Sequence, residues 1–262
     1  MMRITLNLAL AAALLPLPAG VFAQGADPVS GAPPEPAGRT HTGLLLPDTL
    51  LIDVPTAGVA DHSGFSSRTR FFSNGGVVEF LNFGVYPRVN LGVSANVDGL
   101  IGSRPPVRIT RPELQFKIRA FDGDRIIPAL AVGFDSQGYL HNRGDKRYNQ
   151  RQHGLYFIGS QEIGLPGLMA HAGMYVSDFD SNDLGGILAA NYNVQDRVMP
   201  MIEWDNINNF LDSRLNIGMR FYLIPNFHFD FALRGIGMGG KYTDGTVRGP
   251  ERIVQFKYTG SF

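Results

Sequence analysis

The chain has 262 residues, with 23 basic residues balanced by 23 acidic ones and no cysteine. The lack of cysteine excludes a disulfide framework, a thiolate metal site and a cysteine nucleophile. Charge balance gives no argument for nucleic acid as a partner, while 32 glycines and 18 phenylalanines suit many short strands that alternate between two environments.

Arg3, the almost wholly apolar stretch 4–17 and the small-residue pattern Val21-Phe22-Ala23 read as a signal peptide over 1–23, with a mature chain starting at Gln24. Removing Arg3 from the 23 bases leaves 22 against 23 acids, a net charge of −1. No later stretch reaches the roughly 18 apolar residues of a membrane helix. Residues 24–64 read as a periplasmic leader. Its first part, 24–40, is rich in Pro, Gly and Ala, which favours a flexible segment. Its second part, 41–64, carries Leu44, Leu45, Leu46 and the apolar residues around 50–54, then Pro55-Thr56-Ala57-Gly58. That segment suits a plug, a short preceding strand or a strap across a barrel mouth.

From Phe65 onward the period is two. In 227–234 every odd position is large and apolar, and three of the even ones are His228, Asp230 and Arg234. In water such a Phe row would be costly to expose, and the charges costly to bury; a bilayer barrel turns one face to lipid and the other to its lumen. The stretches 89–97, 113–119 and 214–221 alternate in the same way. The pattern predicts about twelve strands, near 65–73, 76–86, 88–98, 113–121, 125–137, 153–162, 167–177, 185–194, 197–206, 213–222, 226–237 and 252–262. Alternation is weak in 76–86, 153–162 and 185–194, which leaves their facing open.

Connection lengths sort by parity. The odd-to-even joins 99–112, 138–152, 178–184, 207–212 and 238–251 are long, apart from the hairpin turn Asn74-Gly75. The even-to-odd joins are tight: Pro87, Asp122-Gly123-Asp124, Leu165-Pro166, Gln195-Asp196 and Ile224-Pro225. Short turns on one side and long loops on the other are the asymmetry of outer-membrane barrels. The fold class is therefore an all-β, antiparallel, up-and-down transmembrane barrel over 65–262, in the cell outer membrane with both termini periplasmic. Alternation alone would also suit a soluble sandwich; the export signal and the loop asymmetry do not. The last strand, with Val254, Phe256, Tyr258, Gly260 and Phe262 on one face, resembles the C-terminal recognition strand of such proteins. That resemblance implies Tyr258 and Phe262 as an assembly signal and the barrel assembly machinery as a partner, beside outer-membrane lipid and lipopolysaccharide. Phe134, Tyr192, Trp204 and Phe262 fall near strand ends, where an aromatic girdle sits.

Parity places Arg68, Arg70, Lys117, Arg119, Arg214, Arg220, Arg234 and Lys257 in the lumen with Glu79, Asp98, Glu113, Asp135, Glu203, Asp205, His228 and Asp230. Such a lining suits a polar path for a small hydrophilic solute or polysaccharide, since Arg rows match carboxylates and sugar hydroxyls. It equally suits an ion-pair ladder that fills a narrow bore. Paired acids (Glu203, Asp205) and the pairs His171 with Tyr175 and His228 with Asp230 admit an acid–base reading. Period two, however, puts any two residues of one face together. There is no Gly-x-Ser-x-Gly elbow, and Ser160, Ser177 and Ser213 have no His partner evident in the sequence, so no enzyme is expected. No cofactor or metal is expected either: the acidic run 178–183 lacks the Gly and Glu of a calcium loop. The loop 139–152 is basic, with His141, Arg143, Lys146, Arg147 and Arg151, and suits a solvated loop or a contact to anionic headgroups.

Several strings resemble the YjbH-like family of outer-membrane proteins. They are Val54-Pro55-Thr56-Ala57-Gly58, Leu91-Gly92-Val93-Ser94 with Ile101-Gly102, the stretch 128–138, and Gly154-Leu155-Tyr156. The resemblance implies an outer-membrane barrel associated with exopolysaccharide production, here as a short, single-barrel member. Two functions follow as expectations: a narrow channel or conduit, or a closed barrel serving envelope integrity or anchoring a surface-polysaccharide apparatus.

Overall fold

A computed structural model describes residues 48–262 apart from 103–106, 143, 179–182 and 210–211. The expected signal peptide and the leader up to residue 47 lie outside the described residues, as do the Arg143 position and most of the acidic run 178–183.

Twelve antiparallel strands form the wall: β1 (Gly64–Phe72), β2 (Gly76–Tyr86), β3 (Val89–Asp98), β4 (Glu113–Phe121), β5 (Ala129–Asp135), β6 (Gly154–Glu162), β7 (Leu168–Val176), β8 (Leu184–Tyr192), β9 (Val198–Asp205), β10 (Arg214–Ile224), β11 (Phe227–Ile236) and β12 (Glu251–Ser261). Each pairs with its neighbour in sequence, and β1 pairs with β12 in the register Arg68↔Lys257, which closes the barrel. Closure leaves no unpaired edge, as a strand-built membrane protein requires. Among the described residues no helix is long and apolar enough to cross a membrane.

The fifth strand is shorter than the alternation predicts. The Asp124 carboxylate accepts the N–H groups of Ile126 and Ile127 at 2.6 and 2.7 Å, so 124–128 is held as a turn and pairing starts at Ala129. The first hairpin turns over Ser73-Asn74-Gly75, between the paired Phe72 and Gly76, and Asn74 and Gly75 both take positive φ, 61° and 70°, the conformation that a tight hairpin loop needs. A Cβ on Gly75 would lie 1.8 Å from the Ile101 carbonyl oxygen, so both φ and space hold this position to glycine. The other short turns share one end of the barrel with the start of β1 and the end of β12, and the long connections share the other end with the Asn74-Gly75 turn. They are called below the terminal end and the loop end.

The exterior carries Leu81, Leu91, Phe116, Ile118, Phe157, Met174, Leu188, Ile202, Trp204, Ile217, Phe221 and Phe231, all solvent-exposed in the isolated chain. An apolar surface running round a closed wall exceeds what a water-soluble monomer leaves bare, and it fits a lipid-facing band. Phe227 and Phe229 pack on Phe256 at 6.1 and 5.3 Å, and Phe262 stacks on Phe65 at 6.1 Å.

One strand reverses the expected facing. Glu79, placed in the lumen by parity, lies on the outer face, where Ser67 and Thr69 donate their hydroxyls to its carboxylate at 2.6 and 2.5 Å. Val78 and Phe80 are the inward residues and are buried. The apolar-out rule fails here because Phe80 serves as a platform under the Arg68 guanidinium, 4.0 Å from the ring centroid.

At the loop end, the segment expected as a solvated loop folds inward as a hairpin, Tyr139–Asn142 with Arg147–Gln150. Tyr139 packs edge-on against Phe72 at 5.4 Å and lies beneath Arg234 at 4.4 Å. Tyr148 donates to Glu113 at 2.9 Å, and Gln150 to Glu251 at 2.8 Å. Tyr148 and Gln150 are thus spent on the lumen wall, while the tip 144–147 stays exposed. Arg151 is drawn to the rim, 3.7 Å from Asp178 and 3.6 Å from Asp183.

Candidate functional site

The lumen holds residues 48–58 as a finger. Leu50 and Pro55 bridge antiparallel, and the Leu51 N–H reaches the Val54 carbonyl at 3.1 Å, so the chain reverses over 51–54. Residues 48–58 thus lie against the inner wall of the barrel, packed on Met199, Ile253, Ala129 and Ile158.

At its tip, three successive N–H groups point one way. Those of Ile52, Asp53 and Val54 donate to the Glu203 carboxylate at 2.7–3.0 Å, and Asn216 Nδ2 adds a fourth donor at 2.9 Å. Successive backbone donors form a natural anion nest, here filled by the protein's own side chain. Glu203 is fully buried, and these donors replace the water it has lost. The Asp53 carboxylate lies between Arg70 at 2.5 Å and Arg234 at 3.1 Å, and Arg70 also donates to the Ile52 carbonyl.

Lower on the finger, Arg220 and Lys257 hold Asp48. Arg220 is itself locked by both oxygens of Asp230 at 2.8 Å. Lys117 spends its ammonium on three carbonyls, those of Thr49, Thr56 and Gly58, at 2.6, 3.1 and 3.0 Å. Apolar contacts fill the rest. Leu51 and Ile52 pack with Met199, Met201, Ala232 and Ile253. Val54 and Ala57 pack with Ala129, Ala131, Ile158 and Ile187.

A chain of polar groups holds the returning arm. The Ala57 N–H donates to Ser160 Oγ at 2.9 Å; Ser160 Oγ and His171 Nδ1 are 2.7 Å apart; His171 Nε2 and Asn191 Oδ1 are 2.8 Å apart. Ser160 therefore does have a histidine partner, contrary to the expectation from sequence. The β6–β7 register pairs the two directly, as their symmetry about Leu165-Pro166 allows. The Ser160 hydroxyl is capped by the finger, so in this state the trio acts as an anchor.

The other residues picked out by parity are dispersed. Asp205 pairs with Arg214 and lies 3.3 Å from His153. Glu113 takes Arg111 and Tyr148 near the loop end, each at about 3 Å. Arg119 pairs with Asp122 at the terminal rim at 2.8 Å. His228 packs edge-on to Tyr222 at 5.6 Å, and Asp135 accepts the Gln137 N–H at 2.9 Å. Tyr258 and Phe262 lie outside, around Phe65. Sequence parity missed Asp48 and Asp53, the acids that neutralise the finger's cationic surroundings. Their signal is their position: two acids in an otherwise uncharged stretch just before a wall rich in Arg and Lys.

The finger does not fill the bore evenly. Toward β1, β2, β4 and β5 it leaves a cavity of about 60 Å³ bordered by Ser66, Asn82, Asn90, Gln115 and Lys117. A second of about 20 Å³, nearer the loop end, is bordered by Arg70, Gln137, His153 and Arg214. Leu50, Arg68, Phe80 and Asp135 border both. The two lie side by side between finger and wall, with Arg68 and Asp135 in the lining of both; together they are called the slit below.

No family model matches the chain, and no curated protein does. Among solved structures it is similar to KdgM porin at 12% identity, TM-score 0.47, over 76% of this chain and 99% of that one. It is similar to NanC porin at 10% identity, TM-score 0.43, with the same coverage. A triple mutant of the Rhodopseudomonas blastica porin gives 10% identity and TM-score 0.35 over 71% of this chain and 55% of that one. At such identities and TM-scores none of them carries a substrate or an activity over to this chain.

Proposed function

We propose that this protein is an outer-membrane channel for small hydrophilic solutes whose bore is shut down to a slit by its own N-terminal finger. The observation that carries this reading is the space left beside an otherwise tightly packed plug, two cavities that share Arg68 and Asp135 in their lining. A barrel built only as a wall has no need of a second, polar face along its filling. The apolar exterior supports the membrane setting, and the short turns support a periplasmic terminal end. Assembly through the terminal strand with Tyr258 and Phe262, and contact with lipid and lipopolysaccharide, belong to the same reading. The YjbH-like strings include the finger's returning arm, 54–58, and support polysaccharide export as the setting of such a gated passage.

The test is single-channel conductance of the refolded chain 24–262 against 59–262 in planar bilayers. The full chain is expected to give small steps and the truncated one steps at least about tenfold larger, because a twelve-strand bore is wide once emptied. Silence in both would overturn the channel and leave a closed structural barrel, the reading that the finger's satisfied polar contacts would then favour.

A further inference from the structure

The buried bases of the lumen are nearly all provided for. Arg70, Arg214, Arg220, Arg234 and Lys257 each have a carboxylate, and Lys117 has three carbonyls. Arg68 differs. It is 8% exposed, and among the described residues it has neither a carboxylate within ion-pair distance nor a hydrogen-bond acceptor. Its guanidinium lies over the face of Phe80, 4.0 Å from the ring centroid. Stacking fixes the guanidinium plane and leaves the donor edges free, and those edges border the slit. Asp135 borders the same space and attracts Arg68 from beyond ion-pair distance, while accepting the Gln137 N–H. A buried guanidinium with neither a paired carboxylate nor a hydrogen-bond acceptor is costly unless an anion completes it.

We propose that Arg68 binds the carboxylate of a small anionic solute in the larger cavity. A guanidinium edge matches the two oxygens of a carboxylate better than it matches a spherical halide. Ser66, Asn82, Asn90 and Gln115 line the remaining wall with hydroxyl and amide groups. A volume of about 60 Å³ lies between the ~10–15 Å³ that one water needs and the ~150 Å³ that holds a benzene ring. It takes a carboxylate with one or two carbons, or the acid end of a longer solute lying along the slit. Selection of carboxylates by the channel rests on the passage proposed above; binding itself does not.

The experiment is line broadening of ¹³C-labelled acetate by the full mature chain in detergent, at constant ionic strength, with chloride as competitor. Wild type is expected to broaden the signal, Arg68→Gln to bind about tenfold more weakly, and Arg68→Lys to fall between, as loss of a two-point charged contact implies. Phe80→Leu, which removes the stacking platform and leaves the charge, is expected to weaken binding as well, and it serves if Arg68→Gln does not refold. Equal broadening in wild type and both variants would overturn the site. Displacement by equimolar chloride would overturn the carboxylate assignment. Acetate binding to a chain that never conducts would leave the site standing and remove the passage; conduction without acetate binding would do the reverse.

Discussion

The finger lies between two walls of different chemistry. Strands β9–β12 and β1 reach it with Glu203, Arg70, Arg220, Arg234 and Lys257. Strands β5–β8 meet it with Ala129, Ala131, Ile158 and Ile187, and with one polar anchor, Ser160. Apolar burial supplies most of the favourable energy, about 1.5–3 kcal/mol for a large side chain removed from water, and it comes from both walls, since Leu51 and Ile52 pack on Met199, Met201, Ala232 and Ile253 of the charged one. The charged wall gains little net energy from its pairs, because each ion gave up hydration to enter. What it supplies is position: a shift of the finger by one residue would keep most apolar contact but leave Glu203 without donors and Asp53 without its arginines.

Breaking the charged wall on one side only should therefore have the largest effect. Since the chain has no cysteine, a Val54→Cys background reports finger release through its thiol-labelling rate, which scales with the released population. Glu203→Ala strands three buried finger N–H groups. At a few kcal/mol for an uncompensated buried site, labelling is expected to rise about a hundredfold or more, whereas an unchanged rate would mean the nest does not hold the tip. Asp53→Asn comes next. It leaves Arg70 and Arg234 without a shared counter-charge, and a rise of about a hundredfold is expected. Acid should reproduce part of this. Burial by itself raises the Asp53 carboxyl, but Arg234 and Arg70 outweigh it and hold it well below its ordinary value of 3.8. Protons thus bind the released finger more readily than the docked one. Docking should be undiminished at neutral pH and weaken as pH falls below 3.8; a labelling rate that stays flat down to pH 3 relative to a free cysteine at the same pH, which cancels the falling thiolate fraction, would contradict the Asp53 bridge.

The two walls also differ in how well they can be read from sequence. The barrel is legible because its constraints are local. Alternation in 227–234 and 214–221 sets facing, and a turn such as Asn74-Gly75 sets where pairing reverses. The exceptions arise where a lumen residue serves a neighbouring strand, as Phe80 serves Arg68 and so turns Glu79 outward. The finger is not legible, because its conformation is dictated from far away: the Ile52 N–H finds its acceptor 151 residues later. No period marks 48–58, and an unstrained loop there has no preferred shape of its own. The Ser160–His171 contact lies between these cases, being implied by the turn at Leu165-Pro166 once strands β6 and β7 are taken as a hairpin.

Changes to the finger's apolar contacts, which the charged wall also supplies through Met199, Met201 and Ile253, should loosen it less and without regard to salt or pH. Ile52→Ala empties part of its contact with Met199, Met201 and Ile253. At about 2–5 kcal/mol for such a core deletion, of which the docked finger recovers part by settling, labelling should rise roughly tenfold to a hundredfold. Ser160→Ala is expected to have the smallest effect. It removes the acceptor of the Ala57 N–H and leaves His171 and Asn191 paired with each other. It also leaves His171 Nδ1 without its partner, but that loss is the same whether the finger is docked or released; the unmet Ala57 N–H costs the docked state about 1–3 kcal/mol, so labelling should rise by about tenfold, with the tip at Glu203 still docked. His171→Ala separates the anchor from a reactive serine. If Ser160 only receives the Ala57 N–H, losing its histidine should cost less than losing Ser160 itself, because the hydroxyl still accepts. Should the truncated chain 59–262 react at Ser160 with an electrophilic serine probe, and His171→Ala abolish that reaction, the trio would be a nucleophile that the finger covers, and the apolar wall would carry chemistry as well as packing.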